Sequence, residues 1–268
     1  MSTDATDAAT ATTATPPPVL VEARDGVQVI TIDRPAAKNA VNGAVAHAIA
    51  AAVEELDADD DLRVGVLTGS GGTFCAGMDL KAFLAGEVPY VEGRGFGGLT
   101  QRPPRKPMIA AVEGWALAGG LELVLACDLV VASRTARFGV PEVTRGLVAI
   151  AGAAMYLPQR VPRAVALEML LTGTPIDAAR AAELGLVNHV VEEGGALEAA
   201  LELARTIAAN GPLAVAVTKQ VARSAVDWTA EDAWDRQDEL TRGIFTSEDA
   251  MEGAAAFAEK RPPVWKGR

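Results

Sequence analysis

Short β-prone runs alternate with helical runs through about the first 150 residues, and this alternation limits the possible folds more than any other feature of the sequence. The segments VLVEAR and VQVITI flank Asp25-Gly26, a dipeptide typical of a tight hairpin turn. Further strands are predicted in RVGVLTG, PMIAAVEGWA and DLVVAS, and helical spacing occurs in NGAVAHAIAAAVEELDADDDL and AGGLELVLA. Strands that alternate with helices predict an α/β core with crossover connections.

From about Gly152 onward the sequence is predominantly helical, and Gly, Pro, Ser, Thr or Asp bounds each helical segment. Ser247, ahead of two acidic residues, has the pattern of a helix N-cap. The first 18 residues are low in complexity and lack a basic region followed by an apolar one, so we expect no secretory signal there. We predict a disordered tail over 1–18, an α/β core over 19–195 and a helical region over 196–268.

Charge and composition exclude several classes of protein. The 268 residues carry a formal net charge of -11, which disfavours nucleic-acid binding because phosphate contacts need clustered Lys and Arg. No apolar run is long enough to span a bilayer, so we expect no membrane partner. Cys75 and Cys127 lie in apolar stretches without CxxC spacing, as in a reduced cytoplasmic protein. With two histidines in the chain, a His-rich metal site is not expected.

Two glycine-rich turns precede helices at positions suited to binding an anion. One is CAGMD, from Cys75 to Asp79, and the other is Ala118-Gly119-Gly120. Free backbone N–H groups at a helix start attract negative charge, and glycine allows a ligand to approach the main chain. If the two turns face each other, they supply an oxyanion hole; if not, each is an ordinary strand-to-helix connection.

Two glutamates stand out by their positions. Glu122 lies among apolar residues near the start of a predicted helix, where burial of an unpaired carboxylate costs several kcal/mol. Glu142 follows a proline at a second predicted helix start. Each is also compatible with a solvated acid that interacts with a helix dipole. The sequence pattern alone does not establish that the two side chains meet.

Six segments, in order, resemble the enoyl-CoA hydratase/isomerase (crotonase) superfamily over nearly the whole chain from Val19 to Arg268. They are RPAAKNAV, GTFCAGMDL, KPMIAAVEGWALAGGLELVLACDLVVAS, ARFGVPEV, LTGTPIDAARAAELGLVNHVV and AFAEKR. The resemblance implies a crotonase-like spiral of ββα units with a helical C-terminal trimerisation region. It also implies a homotrimer or homohexamer that acts on an acyl-CoA thioester.

The resemblance implies a role for each matching residue at the reacting centre. The N–H groups of Met78 and Gly119 would hold the thioester oxygen. Glu122 would orient and deprotonate a water, and Glu142 would deliver a proton to C2. Such an enoyl-CoA hydratase needs no metal or redox cofactor, because coenzyme A is part of the substrate.

Further residues match positions that contact coenzyme A or the acyl chain in the family. Trp115 and Leu117 would line the acyl pocket or pack behind it. A basic pair near the C-terminus would reach the coenzyme, often from a neighbouring subunit, or would be solvated charges at a helix end. The matching coenzyme positions are Lys38, Ala40, Ala76, Asp79, Leu80, Lys260 and Arg261.

The match departs from the hydratase pattern after Glu142. Ala149 and Ile150 replace the usual Pro and Gly, and the bulk of Ile150 is expected to crowd or reshape the site. The closing AFAEKRPPVWKGR resembles carnitinyl-CoA dehydratases, which give the main alternative function. An enoyl-CoA isomerase and an acyl-CoA-binding protein without turnover are two further alternatives. The sequence leaves acyl length and C3 stereochemistry open.

Overall fold

A computed structural model describes residues 16–268, so most of the predicted tail lies outside the described residues. The strands are β1 Val19–Arg24, β2 Val27–Ile32, β3 Val64–Gly69, β4 Tyr90–Val91, β5 Gly95–Phe96, β6 Met108–Val112, β7 Trp115–Leu117, β8 Leu129–Ser133, β9 Arg137–Gly139, β10 Ile176–Asp177 and β11 His189–Val191. The helices are α1 Gly43–Ala58, α2 Leu80–Leu84, α3 Gly119–Ala126, α4 Ala153–Arg160, α5 Arg163–Thr172, α6 Ala178–Glu183, α7 Ala196–Ala208, α8 Pro212–Ser224, α9 Ala233–Thr241 and α10 Glu248–Glu259.

A six-stranded sheet in the order β1-β2-β3-β6-β8-β11 forms the centre of the fold. β1 and β2 form the predicted antiparallel hairpin, and both residues of its turn have the positive φ that an Asp-Gly turn favours. The other neighbouring strands of this sheet pair in parallel. The predicted α/β core with crossover connections is therefore confirmed.

Side chains alternate between the two faces of the sheet and so fill two apolar layers. Ile30 and Ile32 of β2 face a large core that includes residues of α1 and α3. Val27 and Val29 of the same strand face α7. Because α7 covers this face, its packing places it with the core, although the predicted domain boundary at 195/196 assigns it to the helical region.

The segment predicted as one strand, PMIAAVEGWA, forms two strands in different sheets. The break lies at Gly114, whose φ is +56°. A Cβ there would lie 2.4 Å from the carbonyl oxygen of Gly72, so the close approach requires glycine. β7 then joins a second sheet in the order β10-β9-β7. This turn carries the chain from the central sheet to the start of α3.

Residues 85–105, whose sequence shows little periodicity, contain a small hairpin formed by β4 and β5. Two-residue strands are too short to show periodicity, which explains why the sequence pattern does not predict them. Most of the segment 93–100 is buried against the core.

Helix α8 is joined to the core by a group of partly buried charges. Asp128, at the end of α3, receives Lys219 at 2.6 Å and Arg223 at 3.1 Å, both from α8. The Oδ2 atom of Asp128, which receives Lys219, also accepts the Met108 N–H at 2.8 Å. Within residues 16–268, no helix combines the length and apolarity needed to cross a bilayer.

Candidate active site

In the first glycine-rich turn, the backbone N–H of Met78 points away from Val41, with which the turn pairs. Val41 donates its N–H to the Gly77 oxygen at 2.8 Å, and Asp79 donates its N–H to the Val41 oxygen at 2.9 Å. Because backbone groups alternate in direction along an extended segment, the N–H of Met78 points to the opposite side. Among the described residues it has no backbone acceptor.

The second turn lies directly beside the first. Leu117 donates its N–H to the Cys75 oxygen at 3.0 Å, and a Cβ on Gly77 would lie 3.2 Å from the Gly119 nitrogen. Gly119 opens α3, so its N–H lacks an intrahelical acceptor. The structure thus brings together the two turns that carry the predicted oxyanion donors.

Ala118 joins β7 to α3 in a conformation that is rare for a residue with a side chain, with φ 53° and ψ −127°. Its N–H donates to the Gly139 oxygen at 2.9 Å, which ties the turn to β9. This geometry starts the helix abruptly after the strand and leaves the following N–H groups at its open end.

Glu122 is 4% exposed, and two backbone groups hold its carboxylate. The Oε1 atom accepts the N–H of Ala151 at 2.7 Å and that of Ala153 at 3.1 Å. Burial raises the pKa of Glu122 to about 7, the two N–H groups oppose this rise, and the charge of Glu142 adds to it. The opening of α3 therefore carries a carboxylate that titrates near neutral pH.

Glu142 lies in the 3-10 turn Pro141–Arg145, and its charge raises the pKa of Glu122. Its Oε2 atom is buried, and within residues 16–268 it has no hydrogen-bond partner. Burial also raises the pKa of Glu142. An unpartnered buried oxygen needs a ligand or water to satisfy it, so this atom marks a binding position.

The loop that departs from the hydratase pattern does not crowd the site with its bulky residue. The Ile150 side chain is 72% exposed, whereas Ala149, Ala151 and Ala153 are buried. The expectation that the bulk of Ile150 crowds the site is therefore wrong. The small residues on either side allow the backbone to approach Glu122 and donate to it.

Four of the predicted coenzyme positions form one connected surface. Ala76 donates its N–H to the Lys38 oxygen at 3.0 Å, and the Arg34 guanidinium bridges the Ala40 oxygen and the Asp79 carboxylate. The Asp79 side chain also caps α2. Leu80 follows Asp79 and is exposed.

Asn39 holds this surface in place and is missed by the sequence interpretation. It is fully buried, its Oδ1 atom accepts the Arg34 N–H at 2.9 Å, and its Nδ2 group donates to the carbonyls of Ser70 and Thr73. Its φ is +55°. Asparagine tolerates this left-handed conformation better than most residues, and that property is the signal available in the sequence.

The remaining predicted positions divide into two groups. Trp115 is exposed and Leu117 is half-buried, and both lie on β7 beside the first turn. Lys260 and Arg261 lie at the end of α10, where the Arg261 guanidinium pairs with Glu252 and Glu259. No hydrogen bond joins this basic pair to the Lys38 surface within the described part of the chain.

The chain matches the family model described as Enoyl-CoA hydratase/isomerase over residues 22–268. It is 42% identical over 267 residues to enoyl-CoA hydratase EchA19 of Mycobacterium tuberculosis, covering 96% of this chain and all of that protein. It is 40% identical over 257 residues to the carnitinyl-CoA dehydratase of Proteus mirabilis, covering 91% of this chain and 97% of that protein.

A solved structure with high similarity is enoyl-CoA hydratase EchA1 of Mycobacterium marinum, with 58% sequence identity and a TM-score of 0.93. The match covers 94% of this chain and all of the other. The chain belongs to the enoyl-CoA hydratase/isomerase family, and the predicted crotonase-like α/β fold is confirmed.

Proposed function

We propose that the protein is a hydro-lyase that catalyses the reversible syn addition of water across the 2,3 double bond of a 2-enoyl-CoA thioester. The observation that carries this proposal is the pair of a buried Glu122 and a half-buried Glu142, whose Oε2 atom is buried and lacks a partner among the described residues. Two N–H groups without an acceptor among the described residues lie on the turns beside this pair, at Met78 and Gly119. The names of the relatives fit the same chemistry.

In the proposed reaction, the N–H groups of Met78 and Gly119 bind the thioester oxygen. Glu122 takes a proton from water as the water oxygen bonds to C3. The π electrons move to C2, and the negative charge reaches the thioester oxygen as an enolate. Glu142 then protonates C2. Loss of one oxyanion donor in other enzymes costs about 2.7–4 kcal/mol of transition-state stabilisation.

The hydrogen bonds support this assignment of roles. Two N–H donors stabilise the charged form of Glu122, which suits a base. The Oε2 atom of Glu142 has no partner within residues 16–268, which leaves it available to carry a proton to the substrate. Because the two acids interact, their apparent pKa values belong to the pair.

Coenzyme A would bind along the connected surface of Lys38, Ala40, Ala76 and Asp79, with Leu80 at its edge. The reaction requires no further cofactor, because the proton transfers and the charge stabilisation use groups of the chain. We also propose a cytoplasmic homotrimer or homohexamer. In such an assembly Lys260 and Arg261 would be supplied to the coenzyme of a neighbouring subunit.

A carnitinyl-CoA dehydratase activity is the alternative, and the relative from Proteus mirabilis supports it. It would use the same two acids on a charged acyl group. The C-terminal segment that resembles those enzymes packs on α10: Asp249 accepts the N–H groups of Lys266 and Gly267, and Trp265 donates to the Ala209 oxygen. Within the subunit, the tail therefore contributes to packing.

The test is hydration of crotonyl-CoA, which is monitored as the loss of the enoyl-thioester absorbance. The wild-type protein should consume crotonyl-CoA. Glu122→Gln and Glu142→Gln should lower kcat at least about a hundredfold while each variant still binds butyryl-CoA. Carnitinyl-CoA tests the alternative, and a 3-enoyl-CoA tests isomerase activity. Binding without turnover of any ester would favour a binding protein, and failure to bind them would overturn the proposal.

A further inference from the structure

The β4–β5 hairpin is attached to α1 and to its own flanking segments by hydrogen bonds. Arg94, at its turn, has an almost fully buried side chain that donates from Nε to Glu54 of α1 at 3.0 Å and from Nη1 to the Arg102 oxygen at 3.0 Å. Gly97 donates its N–H to the Pro89 oxygen at 2.9 Å. These bonds fix the hairpin on α1, so the side chains it carries have defined positions.

The hairpin packs the Phe96 ring on the Gly119 turn and places the Tyr90 ring beside Phe96. Tyr90 pairs with Phe96 across the strands, with ring centroids 5.8 Å apart and planes at 73°. A Cβ on Gly119 would lie 2.4 Å from the Phe96 ring, so Phe96 packs directly on the turn. Tyr90 therefore lies one ring away from a predicted oxyanion donor.

The phenol of Tyr90 is unused within the described part of the chain. It takes part in no hydrogen bond there, and its oxygen is not among the buried atoms that lack a partner, so solvent reaches it. Burial raises the pKa of Tyr90, and the charge of Glu122 raises it further. The phenol is therefore a protonated hydrogen-bond donor at neutral pH, on a hairpin that packs against the start of α3, the helix that also carries Glu122.

We propose that the Tyr90 hydroxyl donates a hydrogen bond to the oxygen at C3 of the acyl group, which is the attacking water in hydration and the hydroxyl group in dehydration. This inference rests on the proposed hydratase function. A water that donates one hydrogen bond to Glu122 and accepts one from the phenol is held in a fixed orientation. Its second lone pair then points in a defined direction. Tyr90 thus acts with Glu122 to orient that lone pair toward C3, and it selects for an oxygen at this position.

The test compares Tyr90→Phe with wild type. Phenylalanine keeps the ring that packs on Phe96 and removes the hydroxyl group. We expect kcat for crotonyl-CoA to fall about three- to tenfold, the effect of one neutral hydrogen bond, with KM and the melting temperature unchanged. Tyr156→Phe is the matched control, because Tyr156 is the other tyrosine of the chain and is exposed on α4.

A binding measurement isolates the contact with the C3 oxygen. In a Glu122→Gln background, Tyr90→Phe should weaken binding of 3-hydroxybutyryl-CoA about three- to tenfold and leave butyryl-CoA, which lacks that oxygen, unchanged. Equal weakening of both esters, or of neither, would overturn the proposal. If wild type hydrates no enoyl-CoA, the proposed function fails, and the comparison of the two esters still decides whether Tyr90 contacts a C3 oxygen.

Discussion

The Glu122 carboxylate accepts a 2.7 Å hydrogen bond from the backbone N–H of Ala151, a residue 29 positions away in the chain. This bond ties the opening of α3 to the loop that follows Glu142, and Ala153 adds a second bond to the same oxygen. Those N–H groups favour the charged carboxylate, whereas burial and Glu142 oppose it. The balance leaves Glu122 close to its titration point at neutral pH.

Replacing Glu122 by Gln should stabilise the fold at high pH. The pKa of Glu122 is about 7 in the folded state and 4.5 by reference, so the folded protein binds a proton more tightly between these values. Stability then falls as pH rises from about 4.5 to 7, by up to about 3 kcal/mol. Urea unfolding at pH 5 and pH 8 should show a gain for Glu122→Gln that is larger at pH 8.

Glu239→Gln provides the control for that experiment, because Glu239 is an exposed glutamate on α9 and its substitution removes the same charge. It should leave the free energy of unfolding within about 0.5 kcal/mol of wild type at both pH values. If Glu122→Gln is equally destabilised at pH 5 and pH 8, the inference that the charged form of Glu122 destabilises the fold is wrong.

The value of kcat/KM for crotonyl-CoA should decrease below about pH 7, because protonated Glu122 cannot accept a proton from water. Glu142→Gln removes the neighbouring charge that raises the pKa of Glu122, so this pKa should move to lower pH. NMR titration of ¹³C-labelled glutamate carboxyls, with Glu122→Gln to assign the signal, measures the shift. A rate that is constant from pH 6 to 8 would argue against Glu122 as the base.

Gly77→Ala should separate the two oxyanion turns. Its φ is +99°, and the new Cβ would lie 2.8 Å from the Ala118 Cβ and 3.2 Å from the Gly119 nitrogen. Gly72→Ala is the matched control, since Gly72 has φ +74° and nothing within 4 Å of the added Cβ. Both variants introduce backbone strain of about 1 kcal/mol or more.

The two glycine variants should differ in catalysis. We expect Gly77→Ala to reduce kcat for crotonyl-CoA by a further tenfold or more relative to Gly72→Ala, because oxyanion donors act only when correctly placed. Steady-state kinetics and melting temperatures of both proteins give the comparison. Equal kcat values would mean that the Met78 and Gly119 N–H groups do not act together.

Local sequence signals predict the elements that depend on neighbouring residues. The turn at Asp25-Gly26, the α/β alternation and the Ser247 cap of α10 all agree with the structure. Each depends on residues a few positions apart, where turn geometry and side-chain periodicity leave a readable pattern. The two glycine-rich turns are predicted for the same reason.

Long-range backbone contacts leave no such pattern. The N–H groups of Ala151 and Ala153 bind Glu122, yet an alanine gives no sign that its amide has a special acceptor. For the same reason, Ile150 is expected in the site although its side chain points to solvent. The electrostatic interaction of Glu122 with Glu142 likewise depends on the path of the chain between them, through the rest of α3 and through β8 and β9.

Asn39→Gly should destabilise the protein without backbone strain. Glycine accepts the φ of +55°, but the change removes one hydrogen bond accepted from Arg34 and two donated to Ser70 and Thr73. Because the site is fully buried, the groups left without partners should cost about 2–4 kcal/mol. Urea unfolding measures this loss.

Lys38→Gly is the matched variant at the adjacent position, with φ +51° and an exposed side chain. Glycine relieves the left-handed backbone there, so stability should be kept or raised slightly. If Lys38 contacts coenzyme A, KM for crotonyl-CoA should rise about three- to tenfold while kcat stays the same. An unchanged KM in this variant would remove Lys38 from the coenzyme site, whereas a large loss of stability would show that its side chain supports the fold.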